Sequence, residues 1–152
     1  MTIDVYLKNA NLVRNSLQDE TERILLSKEN EIVNLNIKQI ENSTGNDGKL
    51  LENSNKRFTG LYSSATQMLN PRKTAGDPYT FRDTGNFLNN FELYINPNLT
   101  QVEIFSTGTG SADKADFFRG YKNIFGLDKQ NQSTLNYVII LPELQKFVNK
   151  YL

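Results

Sequence analysis

Apolar positions along the chain change period several times. Ile3, Leu7, Ala10, Val13 and Leu17 recur at steps of three or four, which puts them on one helical stripe. Ile24, Leu25, Ile32, Val33, Leu35, Ile37 and Ile40 continue that spacing with a wider apolar face. Ser16 followed by Asp19 can restart a helix, so residues 1–41 are expected to form one kinked helix or two shorter ones. The turn-forming run from Asn42 to Gly48 ends this region. A further helix is expected over 56–69, with Phe58, Leu61, Tyr62, Ala65, Met68 and Leu69 on one face and Asn70-Pro71 as its stop.

Residues 72–78 show no period and are expected to be a loop, with Tyr79 to Arg82 extended and Asp83-Thr84-Gly85 a turn. From Phe87 to Ile95 the pattern becomes alternation: Phe87, Asn89, Phe91, Leu93 and Ile95 against Asn90 and Glu92. Gln101 to Phe105 alternates again beyond Asn96-Pro97-Asn98, so the pair is expected to make a β-hairpin. Ser111 can cap a helix carrying Ala112, Ala115, Phe118, Tyr121 and Phe125, with Gly126 at its end. Leu135 to Leu141 has the β-branched content of a strand, followed by a helix from Pro142; a single helix kinked at Pro142 is the competing expectation.

These elements predict one α+β domain over 1–152. It has an N-terminal helical region (1–41), an extended segment and hairpin (79–106) and a C-terminal region (111–152), with the N-terminal helices packed on a small antiparallel sheet and a C-terminal helix. A chain of 152 residues is long enough for one sizeable core. Nothing approaches the roughly 18 apolar residues of a membrane helix. The first residues lack the basic start and apolar run of a signal peptide, so synthesis in a cytosol is expected.

Composition then narrows the chemistry. There is no His and no Cys, which removes histidine bases, thiol nucleophiles, disulfides and zinc-finger ligand sets. Lysine and arginine number 17, as do aspartate and glutamate, and no basic or acidic tail exists. Such balance weighs against a chain built mainly to grip nucleic acid. Aromatics are plentiful, with seven Tyr and nine Phe, and asparagine fills about one position in eight.

Short motifs fail on their own spacing. Gly108-Thr109-Gly110 lies between a strand and a helix, but Asp113 stands where a dinucleotide loop needs its third glycine. Ser111 and Lys114 have Ser-x-x-Lys spacing without the partner motifs of that chemistry. Asn46, Asp47 and Gly48 lack the downstream glutamate of a calcium loop, since Glu52 comes too early. Asp113 and Asp116 suit a solvated helix start. Lys49, Lys56, Arg57, Arg72 and Lys73 surround Phe58 and Tyr62, a mixture able to bind single-stranded nucleic acid, though helical placement favours a core face with a charged outer side. Catalytic residues, cofactors and metals are therefore not expected. Interaction candidates are Tyr79, Phe81, Asp83, Gly85, Gly108, Gly110, Phe117 and Phe118, because a domain of this size need not bury so many large rings.

From about Ile32 onward the chain resembles the small virion-morphogenesis proteins of tailed phages, the tail-completion and head–tail connector group. The segments that carry the resemblance are Pro78-Tyr79-Thr80-Phe81-Arg82-Asp83-Thr84-Gly85-Asn86-Phe87, the hairpin after it, and Asn123-Ile124-Phe125-Gly126-Leu127. Asp83, Thr84, Gly85, Phe87, Phe125, Gly126 and Leu127 are the matching positions. Where that group has a basic residue soon after Thr-Gly, this chain has Asn86, Asn89 and Asn90. The resemblance implies a non-enzymatic protomer of a homo-oligomeric neck ring in the virion, with portal, neck or tail proteins as partners and no membrane or direct nucleic-acid role. A ring closed by heterologous contacts needs two different adhesive surfaces. The expected ones are the N-terminal helical face and the aromatic patch around Tyr79 and Phe81. A small soluble adaptor for a host protein or single-stranded nucleic acid is the alternative.

Overall fold

The computed structural model describes residues 2–54, 60–82, 84–96, 101–109 and 117–151. Helix α1 (Ile3–Ser27) and helix α2 (Glu29–Glu41) meet at Lys28, whose φ of −108° and ψ of 10° leave the helical region. The break lies beyond the expected Ser16–Asp19 restart. At the break the Ile24 carbonyl accepts both the Ser27 hydroxyl at 2.8 Å and the Lys28 N–H at 3.0 Å, and the Lys28 N–H is shared with the Leu25 carbonyl at 3.2 Å, a tightened last turn.

The turn after α2 leads to an irregular stretch and the short helix α3 (Ser64–Leu69), capped by the Ser63 side chain. The longer helix expected over 56–69 is thereby corrected. Tyr62 precedes the helix, Met68 and Leu69 are exposed, and Phe58 lies outside the described residues. Backbone pairing of Tyr62 with Asp77 and of Tyr79 with Gly60 explains the difference, because those bonds draw residues 60–62 into a bridge with the 77–79 segment. Tyr79 to Arg82 is not uniformly extended either, since Phe81 has φ of +56°.

The first expected strand is shorter than its alternation. Asn86–Asn89 is a helical turn, α4, and the strand β1 is Phe91–Ile95. Strand β2 (Val102–Ser106) pairs with it antiparallel, Phe91 opposite Ser106 and Ile95 opposite Val102, so the hairpin is present. Glu29 of α2 reaches the outer side of β1 and accepts the Leu93 N–H at 3.1 Å, satisfying part of an open sheet edge.

The helix expected through Phe125 ends early. Residues 117–119 are helical, Gly120 turns, and Tyr121 to Gly126 is irregular; Ser111 and its neighbours lie outside the described residues. Asp128 then caps helix α5 (Lys129–Thr134) through the Asn131 N–H at 2.8 Å. A π-helical stretch (Leu135–Ile140) and helix α6 (Leu141–Asn149) follow without leaving helical backbone. Of the two expectations for 135–141, the strand is therefore overturned and the helix running through Pro142 is found. Pro142 accounts for the widened turn, since proline has no N–H and its ring crowds the carbonyl four residues earlier.

The core gathers Leu25 of α1, Ile32, Val33 and Ile40 of α2, Leu51, Phe87 and Leu88 of α4, Phe91, Leu93 and Ile104 of the hairpin, and Tyr121, Ile124 and Leu127. This is an α+β arrangement with α2 packed on β1. Helix α6 packs instead along α1, burying Phe147, and Asn9 Nδ2 donates to the Tyr151 carbonyl at 2.7 Å.

Candidate functional site

Phe81 is the centre of an aromatic cluster. Its ring lies 6.4 Å from Tyr79, 6.1 Å from Phe117, 6.4 Å from Phe118 and 5.1 Å from Tyr121. Phe87 stacks on Phe118 at 3.8 Å between centroids, and Tyr62 meets Tyr79 edge-on at 5.0 Å. A positive φ is sterically costly for a bulky L-residue, so the surrounding contacts must hold it. Those contacts are visible: the Thr80 N–H donates to the Tyr62 hydroxyl at 2.9 Å, and Arg82 Nε donates to Glu41 Oε1 at 2.6 Å. The residues on either side of Phe81 are thereby tied to two separate parts of the chain, Thr80 through its backbone and Arg82 through its side chain.

Beside this cluster is a cavity of about 490 Å³. Its walls are the rings of Tyr62, Tyr79, Phe81, Phe87, Phe117 and Phe118; Thr66, Thr84, Gly85, Asn86 and Gly108 complete them, with Lys73 and Arg82 as the charged members. Gly85 turns the chain into α4 with φ of +83°. The Lys73 ammonium sits 5.0 Å from the Tyr62 ring centroid and has no ion-pair partner among the described residues. No described residue of the lining is a carboxylate. Among the described residues the site therefore combines a flat-walled apolar hollow with a cation, Lys73, that no described carboxylate neutralises, a form that accepts an apolar or aromatic group carrying negative charge.

The expected interaction residues Tyr79, Phe81, Gly85, Gly108, Phe117 and Phe118 come together around this cavity. Asp83 and Gly110 lie outside the described residues. Among the basic candidates, Lys73 lines the cavity, while Lys49 is exposed beside Asp47; Lys56 and Arg57 fall outside the described residues. Asp47 accepts from the Lys49 N–H and from Asn123 Nδ2, and these bonds hold its carboxyl below the usual range. Thr66, Thr84 and Asn86 also line the cavity, although none of them was among the expected interaction residues.

A set of amide side chains positions the segment that brings Phe117 and Phe118 to the cavity. Asn36 is fully buried; its Nδ2 donates to the Ile124 carbonyl and its Oδ1 accepts the Gly126 N–H, both at 3.1 Å. Gln39 donates to the Gly126 carbonyl at 3.0 Å and accepts from the Asp128 N–H at 2.9 Å and from Asn131 at 3.0 Å. Asn46 and Asn53 donate to the carbonyls of Phe125 and Phe117 at 2.8 and 3.0 Å. These side chains substitute for a sheet ladder where the backbone has none. The signal was available in the sequence, since Asn36 and Gln39 stand between Ile32, Val33 and Ile40 on the core stripe of α2. Asn46, through its side chain and its backbone N–H, also pins the turn at 42–48 against residues 123–125.

Tyr121 borders a second hollow of about 260 Å³, behind Tyr79 and Phe81. Its hydroxyl is buried without a hydrogen-bond partner among the described residues, and burial pushes the phenol up to about 12, opposed by the neighbouring Asn53 amide.

The other feature outside the core is the outer length of α1. Of its 25 residues only Ile24 and Leu25 are buried; Ala10 and Val13 are half-covered, near α6. Of the expected stripe Ile3 (78 % exposed), Leu7 (54 %) and Leu17 face outward, as does Tyr6 (49 %) beside them and Leu12 on another side of the helix, so three of the five stripe positions are uncovered among the described residues. Tyr137 and Val138 on the π-helical stretch are exposed as well.

Among the described residues no group of three or more carboxylates could hold a metal ion, and no helix is long and apolar enough to cross a membrane. No family model matches the chain, and neither the curated proteins nor the solved structures contain a match.

Proposed function

We propose that the chain is a structural protomer of a phage neck or tail-completion ring, joining head or portal to tail by protein–protein contact. The observation that supports this most is the outer part of α1, a helix that presents Ile3, Tyr6, Leu7, Leu12 and Leu17 to solvent. A helix with an apolar stripe is stabilised chiefly by what covers that stripe, and exposed apolar residues of this extent mark contact surfaces. An assembly subunit covers such a face when its neighbour docks. The aromatic cavity supplies a second, differently shaped surface, as ring closure by heterologous contacts requires. The resemblance of the segments at 78–87 and 123–127 to the neck and tail-completion group gives the assembly its context. In this role the chain needs no catalytic group or cofactor and resides in the virion after synthesis in the host cytoplasm.

Native mass spectrometry and sedimentation of the purified chain over a concentration series, alone and with portal-side or tail-side proteins, test the proposal. The expected result is a closed oligomer of defined stoichiometry, or its appearance on adding a neck partner. A chain that stays monomeric at high concentration and joins no such partner overturns it.

A further inference from the structure

We propose that the first turns of α1 from one copy dock into the aromatic cavity of the next. This inference rests on the ring reading and specifies the contact that would build it.

The two surfaces fit each other chemically. The cavity is walled by aromatic rings and carries the unpaired ammonium of Lys73, with no carboxylate among its described lining residues. The start of α1 offers Ile3, Tyr6 and Leu7 as exposed apolar groups, with the carboxylate of Asp4 between them. Asp4 has no ion-pair partner among the described residues, so an apolar insertion would bring one unneutralised anion to one unneutralised cation. A volume of about 490 Å³ accommodates one or two large side chains. One turn after Thr66, helix α3 also exposes Leu69, on the same side of the helix as that lining residue.

Geometry makes the contact intermolecular. Ile3 lies about 30 Å along the axis of α1 from Ile24, at a rise of about 1.5 Å per residue. Leu25, next to Ile24, belongs to the same core as Phe87, a wall of the cavity. A continuous helix cannot fold its own first turn back to that wall. The contact therefore joins two different patches of two copies, and repetition generates a ring when the rotation closes.

The experiment uses full-length chains and native mass spectrometry. Asp4→Lys should lose the oligomer, as should Thr66→Trp, which fills the cavity from a partly exposed helical position. Each should keep the wild-type circular dichroism spectrum and melting curve. Mixing the two variants should restore one joint, because the first retains its cavity and the second retains its helix; a dimer of one copy each is expected. Combining Asp4→Lys with Lys73→Glu in one chain should recover the oligomer. If wild type assembles and both single variants assemble equally well, the docking contact is overturned while the ring reading stands. A wild-type chain that never associates, either alone or with portal-side or tail-side proteins, overturns both. Should Thr66→Trp remain oligomeric while losing binding of the anionic aromatic probe anilinonaphthalene sulfonate, the cavity is a small-ligand site and the docking contact is overturned.

Discussion

Asn86 and Gly108 hold each other from both sides. Asn86 Nδ2 donates to the Gly108 carbonyl at 3.1 Å, and a β-carbon on Gly108 would stand 2.1 Å from the Asn86 carbonyl oxygen. The end of the hairpin can approach α4 only because residue 108 has no side chain. Gly108→Ala should therefore push β2 away from α4 and open the cavity wall. Overpacking of this kind destabilises by about 1–3 kcal/mol. Urea unfolding checks it, and a loss below about 0.5 kcal/mol, the range of neutral surface changes, would sink the argument.

The amide clamp predicts a contrast between two asparagines on one helix. Asn36→Leu leaves the Ile124 carbonyl and the Gly126 N–H without their partner inside the core. Stranding buried polar groups costs about 1–3 kcal/mol each, so a total of about 2–6 kcal/mol is expected. Asn34 is exposed, and Asn34→Leu should stay within about 0.5 kcal/mol of the parent. Equal effects at the two positions in chemical denaturation would contradict the clamp.

At Phe81 the usual order of alanine and glycine should reverse. Removing the ring from its aromatic neighbours should destabilise by about 2–4 kcal/mol in either variant. The φ of +56° disfavours any β-carbon, so Phe81→Gly should exceed Phe81→Ala in stability by about 1 kcal/mol. Paired thermal melts decide it. An alanine variant more stable than the glycine variant would show that the backbone relaxes out of the left-handed region.

Tyr121 predicts a loss of stability in alkali. Its folded pKa, raised to about 12, exceeds the ordinary tyrosine value near 10. The unfolded chain releases that proton first, so the contribution is fully present below about pH 10 and is lost as pH rises towards 12. Tyr121→Phe removes the unpartnered hydroxyl and should flatten the decline over that window, with neutral stability at pH 7 no lower than the parent's. Unfolding curves at stepped alkaline pH, with ultraviolet titration of the tyrosinates, provide the check. An unchanged alkaline slope in the variant would assign the loss to other groups.

Assembly should respond to α1 without a change in folding. Ile3 and Leu7 are exposed one turn apart on the same face, so Ile3→Glu with Leu7→Glu should alter monomer stability by less than about 0.5 kcal/mol per site. Placing two charges on the contact face should weaken association by at least tenfold. Sedimentation measures the second effect and thermal melting the first. A joint loss of both would mean that the stripe is buried within the monomer.

Where bonding partners are near in sequence, the pattern of residues was sufficient. The N-terminal helices, the turn at 42–48 and the antiparallel pairing of Phe91–Ile95 with Val102–Ser106 follow from periodicity and turn chemistry. Absence of His and Cys likewise limits the chemistry without any fold. The aromatic residues at 79, 81, 117 and 118 could be marked as surplus rings, but not as one site, because the segments that carry them meet only through distant hydrogen bonds. Asn36 and Gln39 draw residues 124–128 onto α2, and Asn53 reaches Phe117 across the chain. Local propensity also misled at Leu135–Ile140, where β-branched residues read as a strand. There the Asp128 cap and the packing of the following helix on α1 supply more stabilisation than strand preference could. Propensity is worth tenths of a kilocalorie per residue, whereas burial of a helix face is worth several, so contacts between distant segments settled what neighbouring residues left open.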